Sequence, residues 1–233
     1  SLSNIGFTRV EVDYTKEIPE GPKLAAYPDK RDYPAQKGTT KVSVALRFGM
    51  LSIRELVRKA IKEKSGKYLD ELIWRDFYQM ILWHHPHVKD RSYKAKYDTI
   101  EWENNEQHFE LWCKGETGVS IVDAGMRELN ATGYMHNRVR MIVASFLVKN
   151  LLIDWRWGEA YFAEKLLDFD LASNNGGWQW AAGSGCDAAP YFRIFNPTSQ
   201  IQKFDKEHKY IKKWVSDYQE LTYPNPIVEH KYA

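Results

Sequence analysis

Residues 172–197 read "ASNNGGWQWAAGSGCDAAPYFRIFNP", and within them Gly176 and Gly177 stand beside Trp178 and Trp180. A pair of glycines breaks regular secondary structure and lets other groups approach the backbone closely. Tryptophan offers a large, rigid surface on which a flat molecule can stack. We therefore interpret this stretch as a Trp-rich loop that forms the wall of a cavity for a flat ligand.

Length and composition fit one large globular domain or two small ones. The chain has 233 residues, of which 43% are hydrophobic and 27% charged. It contains no run of about eighteen apolar residues, so we expect no membrane span. The first residues are too polar for a signal peptide, and two cysteines are too few for a disulfide framework. The net charge of +2 means that any affinity for nucleic acid has to come from a local patch, and nine tryptophans favour a stacking or redox role.

Helical patterns dominate the chain after a proline-containing first segment, which we predict to be extended. Ser52 and Glu55 match a capping box at the start of a helix over 53–64. Apolar residues at helical spacing predict further helices over 67–85, 121–133, 135–152, 158–169 and 205–218. Pro86 stops one of these helices and Gly133 closes another. No alternating strand pattern is longer than a few residues, so the predicted fold class is all-α, in one helical domain.

The stretch "MHNRVRM" places Asn137, Arg140 and Met141 on one face of a helix and Arg138 on another. Two arginines on adjacent faces are suited to clamp a phosphate or to stabilise an anionic ring. A solvated basic helix end explains the same pattern without a ligand.

The stretch "ELIWRDFY" places Glu71, Trp74 and Arg75 within one helical turn. A nucleobase could stack on Trp74 and hydrogen-bond to Glu71. Taken alone, the pattern favours an ordinary amphipathic helix with a salt bridge from Glu71 to Arg75.

The stretch "KGTTKVS" follows Gly38 with hydroxyl groups and one cation, a composition that can cradle phosphates but is also typical of a polar turn. The nearby "HHPH" at 84–87 has no partner cluster. It favours the end of a helix over a metal site, so no metal is predicted.

Together these stretches closely resemble the C-terminal catalytic domain of the photolyase and cryptochrome family. The matching runs are "TGYMHNRVRMIVASFLVKNLLIDW", "DLASNNGGWQWAAGSGCDAAPYFRIFNPTSQ", "RDYPAQKGTTKVS" and "ELIWRDFY". The resemblance is greatest to class I bacterial enzymes that act on cyclobutane pyrimidine dimers (CPDs). It implies that residues 1–45 form a wrapping segment with a phosphate-binding loop and that 46–233 form the helical FAD- and DNA-binding domain. It further implies that the N-terminal α/β domain of the family, with its antenna cofactor, is absent.

For the cofactor, the resemblance implies that FAD is held around its diphosphate by Tyr27 and residues 39–43. It pairs Arg140 with Asp168 beside the flavin ring and places Asn174 opposite N5 of that ring. Two positions depart from the commonest pattern, since Lys41 stands where arginine is frequent and Tyr68 where tryptophan is frequent. The full set of implied FAD-binding residues is Tyr27, Thr39, Thr40, Lys41, Val42, Ser43, Tyr68, Arg75, Arg140, Asp168, Asp170 and Asn174.

For the reaction, the resemblance implies light-driven repair, in which excited reduced FAD passes an electron to a dimer flipped out of UV-damaged DNA. The implied catalytic residues are Glu71, Asn137, Met141 and Asn174, and the implied lesion- and DNA-binding residues are Arg31, Glu71, Trp74, Asn137, Arg138, Trp180 and Gln200. The implied electron-transfer chain runs through Trp178, Trp155 and Trp102. The expected protein is a bacterial cytoplasmic monomer that associates with the nucleoid when it is bound to DNA.

Three alternatives stay open at this point. A (6-4) photolyase would carry histidine in the region where Asn137 stands, so asparagine favours CPDs. Cryptochromes commonly carry Asp or Cys in place of Asn174, so asparagine favours a repair enzyme over a light sensor. A flavin-free helical module that binds nucleic acid would explain the basic and aromatic residues without any chemistry, and it would purify without the colour of a flavin.

Overall fold

The computed structural model describes residues 24–187, 194–216 and 218, together with the isolated residues 4 and 6. Over these residues the chain forms helices joined by loops and contains no β-strand, which confirms the all-α prediction. The α-helices are α1 (Tyr27–Lys30), α2 (Ser43–Arg47), α3 (Ile53–Lys62), α4 (Gly66–His84), α5 (Glu106–Lys114), α6 (Ser120–Thr132), α7 (Asn137–Ser145), α8 (Trp155–Lys165), α9 (Leu171–Ala182), α10 (Pro197–Phe204) and α11 (Lys209–Trp214). Short 3₁₀ helices occur at Leu24–Ala26, Pro86–Lys89 and Ala95–Thr99, and a π-helical turn (Phe146–Asn150) follows α7.

The main core lies between α5, α6, α7, α8, α9 and α11. Its largest fully buried side chains include Trp112, Trp155, Tyr210 and Phe146, which together remove a large apolar area from water. A smaller core joins the segment before α1 to α3 and α4, where the rings of Tyr27 and Tyr68 meet edge to face at 5.1 Å. The two cores hold α4, α7 and α9 around the site described below.

Helix α9 corrects the prediction of a Trp-rich loop, because Gly176 and Gly177 lie inside a regular helix. The side chain of Asp170 caps its first turn by accepting a hydrogen bond from the Ser173 amide at 3.0 Å, and Gly183 ends the helix with a left-handed φ of +83°. Buried side chains on α9 pack against the core over the same span. Capping and packing thus outweigh the low helix propensity of two glycines, which is about 1 kcal/mol each relative to alanine.

Other helix predictions are correct in type and differ at their ends. Ser52 does stand at the N-cap of α3, but its side chain makes no capping hydrogen bond there, so the predicted capping box does not form. The helix predicted over 205–218 shortens to α11, and the one over 135–152 becomes α7 followed by the π-helical turn. The sequence patterns missed the short helices α1 and α2 as well as α5 and α10. Of the predicted extended segment, residues 1–3, 5 and 7–23 lie outside the described residues, and residues 24–30 are helical where an extended chain was predicted.

Candidate functional site

A cavity of about 620 Å³ opens between α4, α7 and α9 and the segment that joins α8 to α9. Exposed or half-buried side chains such as Trp74 and Asn137 stand at its mouth, while the buried side chains of Phe162, Leu166 and Trp178 stand at its base. Many residues expected at the site line this one cavity: Arg31, Glu71, Trp74, Arg75, Asn137, Arg138, Arg140, Met141, Asp168, Asp170, Asn174, Trp178 and Trp180. The site therefore brings together residues that are distant in sequence.

Helix α7 turns its first residues toward the cavity. Asn137, Arg140 and Met141 line it as expected, but so does Arg138, which the helical spacing had placed on another face. His136 caps the helix, because its Nδ1 accepts a hydrogen bond from the Arg138 amide at 3.1 Å. Burial lowers the pKa of His136 to about 4, so this ring is neutral near pH 7. The first turn of α7 thus adds cations to the cavity only through its arginines.

An ion pair crosses one side of the cavity. Nη2 of Arg140 lies 2.9 Å and 3.1 Å from the two carboxylate oxygens of Asp168, whose side chain is only 5% exposed. Nε of Arg140 also donates to the Met135 carbonyl at 2.8 Å, which fixes the guanidinium plane. A partly buried pair held by several hydrogen bonds keeps both charges in one geometry. It can therefore present a fixed dipole to a ligand.

The loop over 39–43 lies next to this ion pair, although its residues do not line the cavity. Nζ of Lys41 stands 5.2 Å from the centroid of the Tyr134 ring, and the guanidinium of Arg140 stands 5.8 Å from the same ring. Burial raises the pKa of the hydroxyl groups of Tyr134 and Tyr68, and the Tyr68 hydroxyl has no hydrogen-bond partner in the described part of the smaller core. Lys41 of the loop and Arg140 of the cavity wall thus share one aromatic neighbour, Tyr134.

Asn174 reaches the cavity from α9. Its amide nitrogen donates to the backbone carbonyl of Glu159 at 3.1 Å, which leaves the amide oxygen for the cavity. The Glu159 carboxylate accepts a hydrogen bond from Asn175 at 3.0 Å, and burial raises the pKa of this carboxyl group to about 7. A partly neutral acid is thus hydrogen-bonded to Asn175, the residue that follows Asn174 on α9.

Charged side chains of alternating sign cross the mouth of the cavity. Arg31 forms an ion pair with Glu71, and the Arg138 guanidinium lies 2.8 Å from Asp32. The salt bridge that the sequence had suggested from Glu71 to Arg75 is not the one formed, because the partner of Glu71 is 40 residues away in the chain. Such a pairing has no signature in local spacing.

The remaining predicted residues lie outside the cavity lining. Trp155 is fully buried in the main core and Trp102 is half-buried against it, whereas Trp178 belongs to both the core and the cavity. Tyr27 and Tyr68 lie in the smaller core, and Gln200 lies on α10. Trp102 is therefore the most exposed of the three tryptophans, while Trp155 and Trp178 are both buried.

Several residues of the cavity were not predicted, and they include Tyr78, Phe162, Leu166 and Asp187. The Tyr78 hydroxyl donates to Asp187 at 2.9 Å and so links α4 to the segment after α9. Tyr78 follows Trp74 by one helical turn, which is a signal that could have found it. Phe162 and Leu166 read as ordinary core residues, and no local pattern distinguishes them.

Metal clusters and membrane-spanning helices are both absent from the part of the chain that the structure describes. No three side chains of His, Cys, Asp or Glu come together there in a way that would hold a metal ion. No helix there has the length and the apolar character required to cross a lipid bilayer.

Comparison with known proteins assigns the family. A family model described as the FAD binding domain of DNA photolyase matches residues 68–233. The chain is 48% identical over 235 residues to the deoxyribodipyrimidine photo-lyase of Escherichia coli (strain K12), covering 89% of this chain and 50% of that protein. The chain thus spans about half the length of the curated relatives it matches.

Solved structures agree with this result. An archaeal photolyase from Sulfolobus tokodaii, solved with two FAD molecules, superimposes with a TM-score of 0.80 at 47% identity, over 86% of this chain and 49% of that one. A cryptochrome from Synechocystis sp. PCC6803 gives a TM-score of 0.82 at 32% identity, over 89% and 50% of the two chains. The chain therefore belongs to the photolyase family, and what it carries is the family's FAD-binding domain.

Proposed function

We propose that this chain is the catalytic domain of a deoxyribodipyrimidine photo-lyase, which uses light to repair cyclobutane pyrimidine dimers in UV-damaged DNA. The observation that carries the proposal is that a single cavity has an exposed end and a buried end with different linings. The mouth of the cavity is lined by side chains suited to a nucleobase. Its buried end is lined by side chains suited to a flavin. An electron donor and a damaged base could therefore lie next to each other there, screened from water.

The residues of the cavity fit FAD. The volume of about 620 Å³ lies in the ordinary range of ligand pockets. At Gly177 the helix has no side chain, and a Cβ built there would have no other atom within 4 Å, so a flat ring can approach the backbone of α9. We propose that Arg140 and Asp168 orient the ring, that Asn174 faces it with its amide oxygen, and that Tyr27, Tyr68, Arg75, Asp170 and residues 39–43 hold the remainder of the molecule. Bound FAD, in its reduced anionic form, supplies on excitation the electron that splits the dimer and afterwards takes it back.

The mouth of the cavity fits a flipped-out dimer. Trp74 and Trp180 present aromatic faces, and the carboxyl group of Glu71 and the amide of Asn137 present hydrogen-bonding groups. A damaged pair is cheaper to unstack than an intact one, which favours entry of the lesion. Arg31 and Arg138 stand at the rim, where we propose that they bind the DNA backbone, with Gln200 contributing from α10. Met141, four residues after Asn137, completes the wall against the lesion.

A repair assay tests the proposal. The chain is loaded with FAD, reduced chemically and irradiated with oligonucleotides that carry either a CPD or a (6-4) product, with dark samples as controls. We expect the CPD to be reverted only in the light and the (6-4) product to remain. Repair of the (6-4) product alone would overturn the choice of lesion, and failure to bind FAD in excess would exclude the mechanism for this chain.

A cryptochrome-like light sensor is the second candidate. The similarity to the Synechocystis cryptochrome supports it, since that structure shares the same helical domain. The same assay separates the two functions, because a pure sensor would bind FAD and respond to light without reverting either lesion.

A further inference from the structure

The charged groups at the mouth of the cavity form one continuous chain. Glu71 pairs with Arg31, and the Arg31 Nε lies 3.8 Å from the Asp32 carboxylate. The same carboxylate oxygen of Asp32 lies 2.8 Å from Nη2 of Arg138. Two acids and two arginines therefore alternate, and their charges sum to zero.

Both arginines are already held in one orientation. The side chain of Arg31 is 14% exposed and that of Arg138 is 19% exposed. The guanidinium of Arg138 lies over the ring of Phe204 at 4.3 Å, and that of Arg31 lies 5.4 Å from the centroid of the Tyr27 ring. Aromatic neighbours restrict the planes of these groups, so Nη1 of Arg31 is held toward Glu71 and Nη2 of Arg138 toward Asp32.

Asp32 occupies the position between the two guanidinium groups. The side chain of Asp32 is 37% exposed, which is more than that of either arginine. An incoming anion therefore meets Asp32 before it reaches the two guanidinium groups. A carboxylate and a phosphate present similar oxygen acceptors to arginine. A phosphate that reaches Arg31 and Arg138 must therefore displace this carboxylate or share the donors with it.

We propose that Asp32 acts as a phosphate surrogate, which limits the affinity of the cavity mouth for undamaged DNA. The inference rests on the proposed function, because it assumes that DNA approaches this rim. The electrostatic attraction between the whole protein and DNA is weak, because the net charge is only +2. When Arg31 and Arg138 are both paired with acids, a duplex that inserts no base into the cavity therefore binds with little affinity. Asp32 is thus a residue that determines specificity, without touching the lesion or the cofactor.

The experiment compares Asp32→Asn with Asp29→Asn in the FAD-loaded chain. Asp29 is an exposed residue of α1, and its substitution changes the net charge equally. Affinity for an undamaged duplex is measured by fluorescence anisotropy over a series of salt concentrations. For Asp32→Asn we expect the affinity to rise roughly 3- to 10-fold above that of Asp29→Asn, and log K against log salt to steepen by about one unit, as for one added phosphate contact.

A second substitution keeps the test decisive if Asp32→Asn alters the fold. Arg138→Gln should weaken binding of the undamaged duplex only slightly in the parent, where Asp32 already neutralises the arginine, and several-fold in the Asp32→Asn background. Equal effects in both backgrounds would overturn the inference. The inference would also be overturned if Asp32→Asn lost affinity for the undamaged duplex, or gained no more affinity than Asp29→Asn. A CPD-containing duplex is titrated in parallel. If the parent chain does not bind this duplex more tightly than the undamaged one, the proposed function is contradicted. The comparison of variants on undamaged DNA still decides the role of Asp32 in that case.

Discussion

At the level of single residues, Glu159 is an acid whose ionised form is disfavoured by burial in the folded chain. Burial raises the pKa of its carboxyl group from the ordinary value of 4.5 to about 7, and the hydrogen bond from Asn175 only partly offsets this effect. The folded chain therefore holds this proton more tightly than the unfolded chain does. Unfolding releases the proton between pH 4.5 and 7, so this group lowers stability as the pH rises through that window.

Glu159→Gln should consequently stabilise the chain above pH 7 by about 1–2 kcal/mol, with the gain vanishing below pH 4.5. Glutamine keeps an oxygen that can accept the hydrogen bond from Asn175. Urea unfolding followed by circular dichroism at several pH values measures the difference. Glu164→Gln, also on α8 but 69% exposed, is the matched control. A gain for Glu159→Gln that is the same at pH 5 and pH 8 would contradict the assignment.

The sequence identified residues of the site where local spacing carries the information. The positions of Asn137, Arg140 and Met141 on one helix face follow directly from a period of 3.6 residues, and the structure confirms that they line one cavity. The partner of Glu71 was beyond reach, because Arg31 lies 40 residues earlier in the chain and only the tertiary fold brings it near. Long-range ion pairs leave no periodic trace in the chain.

At the scale of elements, α9 shows how context decides the state of a glycine pair. Gly176 packs against α4, and a Cβ built there would lie 2.2 Å from Cδ1 of Tyr78. Gly177, one residue later, faces open space on the side of the cavity. Helix propensity alone predicted a loop here. In the helix, the missing side chain allows a close contact with α4 at Gly176 and leaves open space beside the cavity at Gly177.

The two glycines give a matched pair of substitutions. Gly176→Ala should destabilise the FAD-free chain by about 1–3 kcal/mol, because its methyl group collides with an aromatic ring. Gly177→Ala should stabilise the FAD-free chain by up to about 1 kcal/mol, since alanine is the better helix former, and yet weaken FAD binding because the methyl group enters the cavity. Urea unfolding without FAD and a fluorescence titration with FAD measure both effects. Equal changes in stability for the two variants, or tighter FAD binding by Gly177→Ala, would show that the contacts of α9 are misassigned.

At the scale of the whole molecule, the cavity and the main core share one aromatic system. The Trp178 ring lines the cavity and meets Phe162 at 5.0 Å and Trp112 at 6.1 Å, both edge to face. It fills a slot beside α8, where a Cβ on Gly158 would lie 2.1 Å from its Cη2. Packing alone would account for a tryptophan held in this way. The alternative is that Trp178 also passes electrons between the core and the cavity.

We predict that Trp178 reduces photoexcited oxidised FAD and that Trp155 and then Trp102 refill it, so that the route ends at the most exposed of the three tryptophans. Trp178→Phe keeps most of the packing but removes the easily oxidised indole. It should block light-driven reduction of bound oxidised FAD in the presence of an external donor, measured by absorption. It should spare CPD repair once the flavin has been reduced chemically, because that electron leaves for the lesion rather than arriving from the core.

Two further substitutions decide the route and separate it from packing. Trp155→Phe and Trp112→Phe each remove a fully buried indole from the same core, and Trp112 is the one whose ring meets Trp178. If electrons arrive through Trp155, its substitution slows photoreduction strongly, whereas Trp112→Phe lowers stability and leaves photoreduction nearly unchanged. A block in Trp112→Phe with normal photoreduction in Trp155→Phe would redirect the route through α5. Photoreduction of Trp178→Phe at the parent rate would mean that this tryptophan serves the core alone.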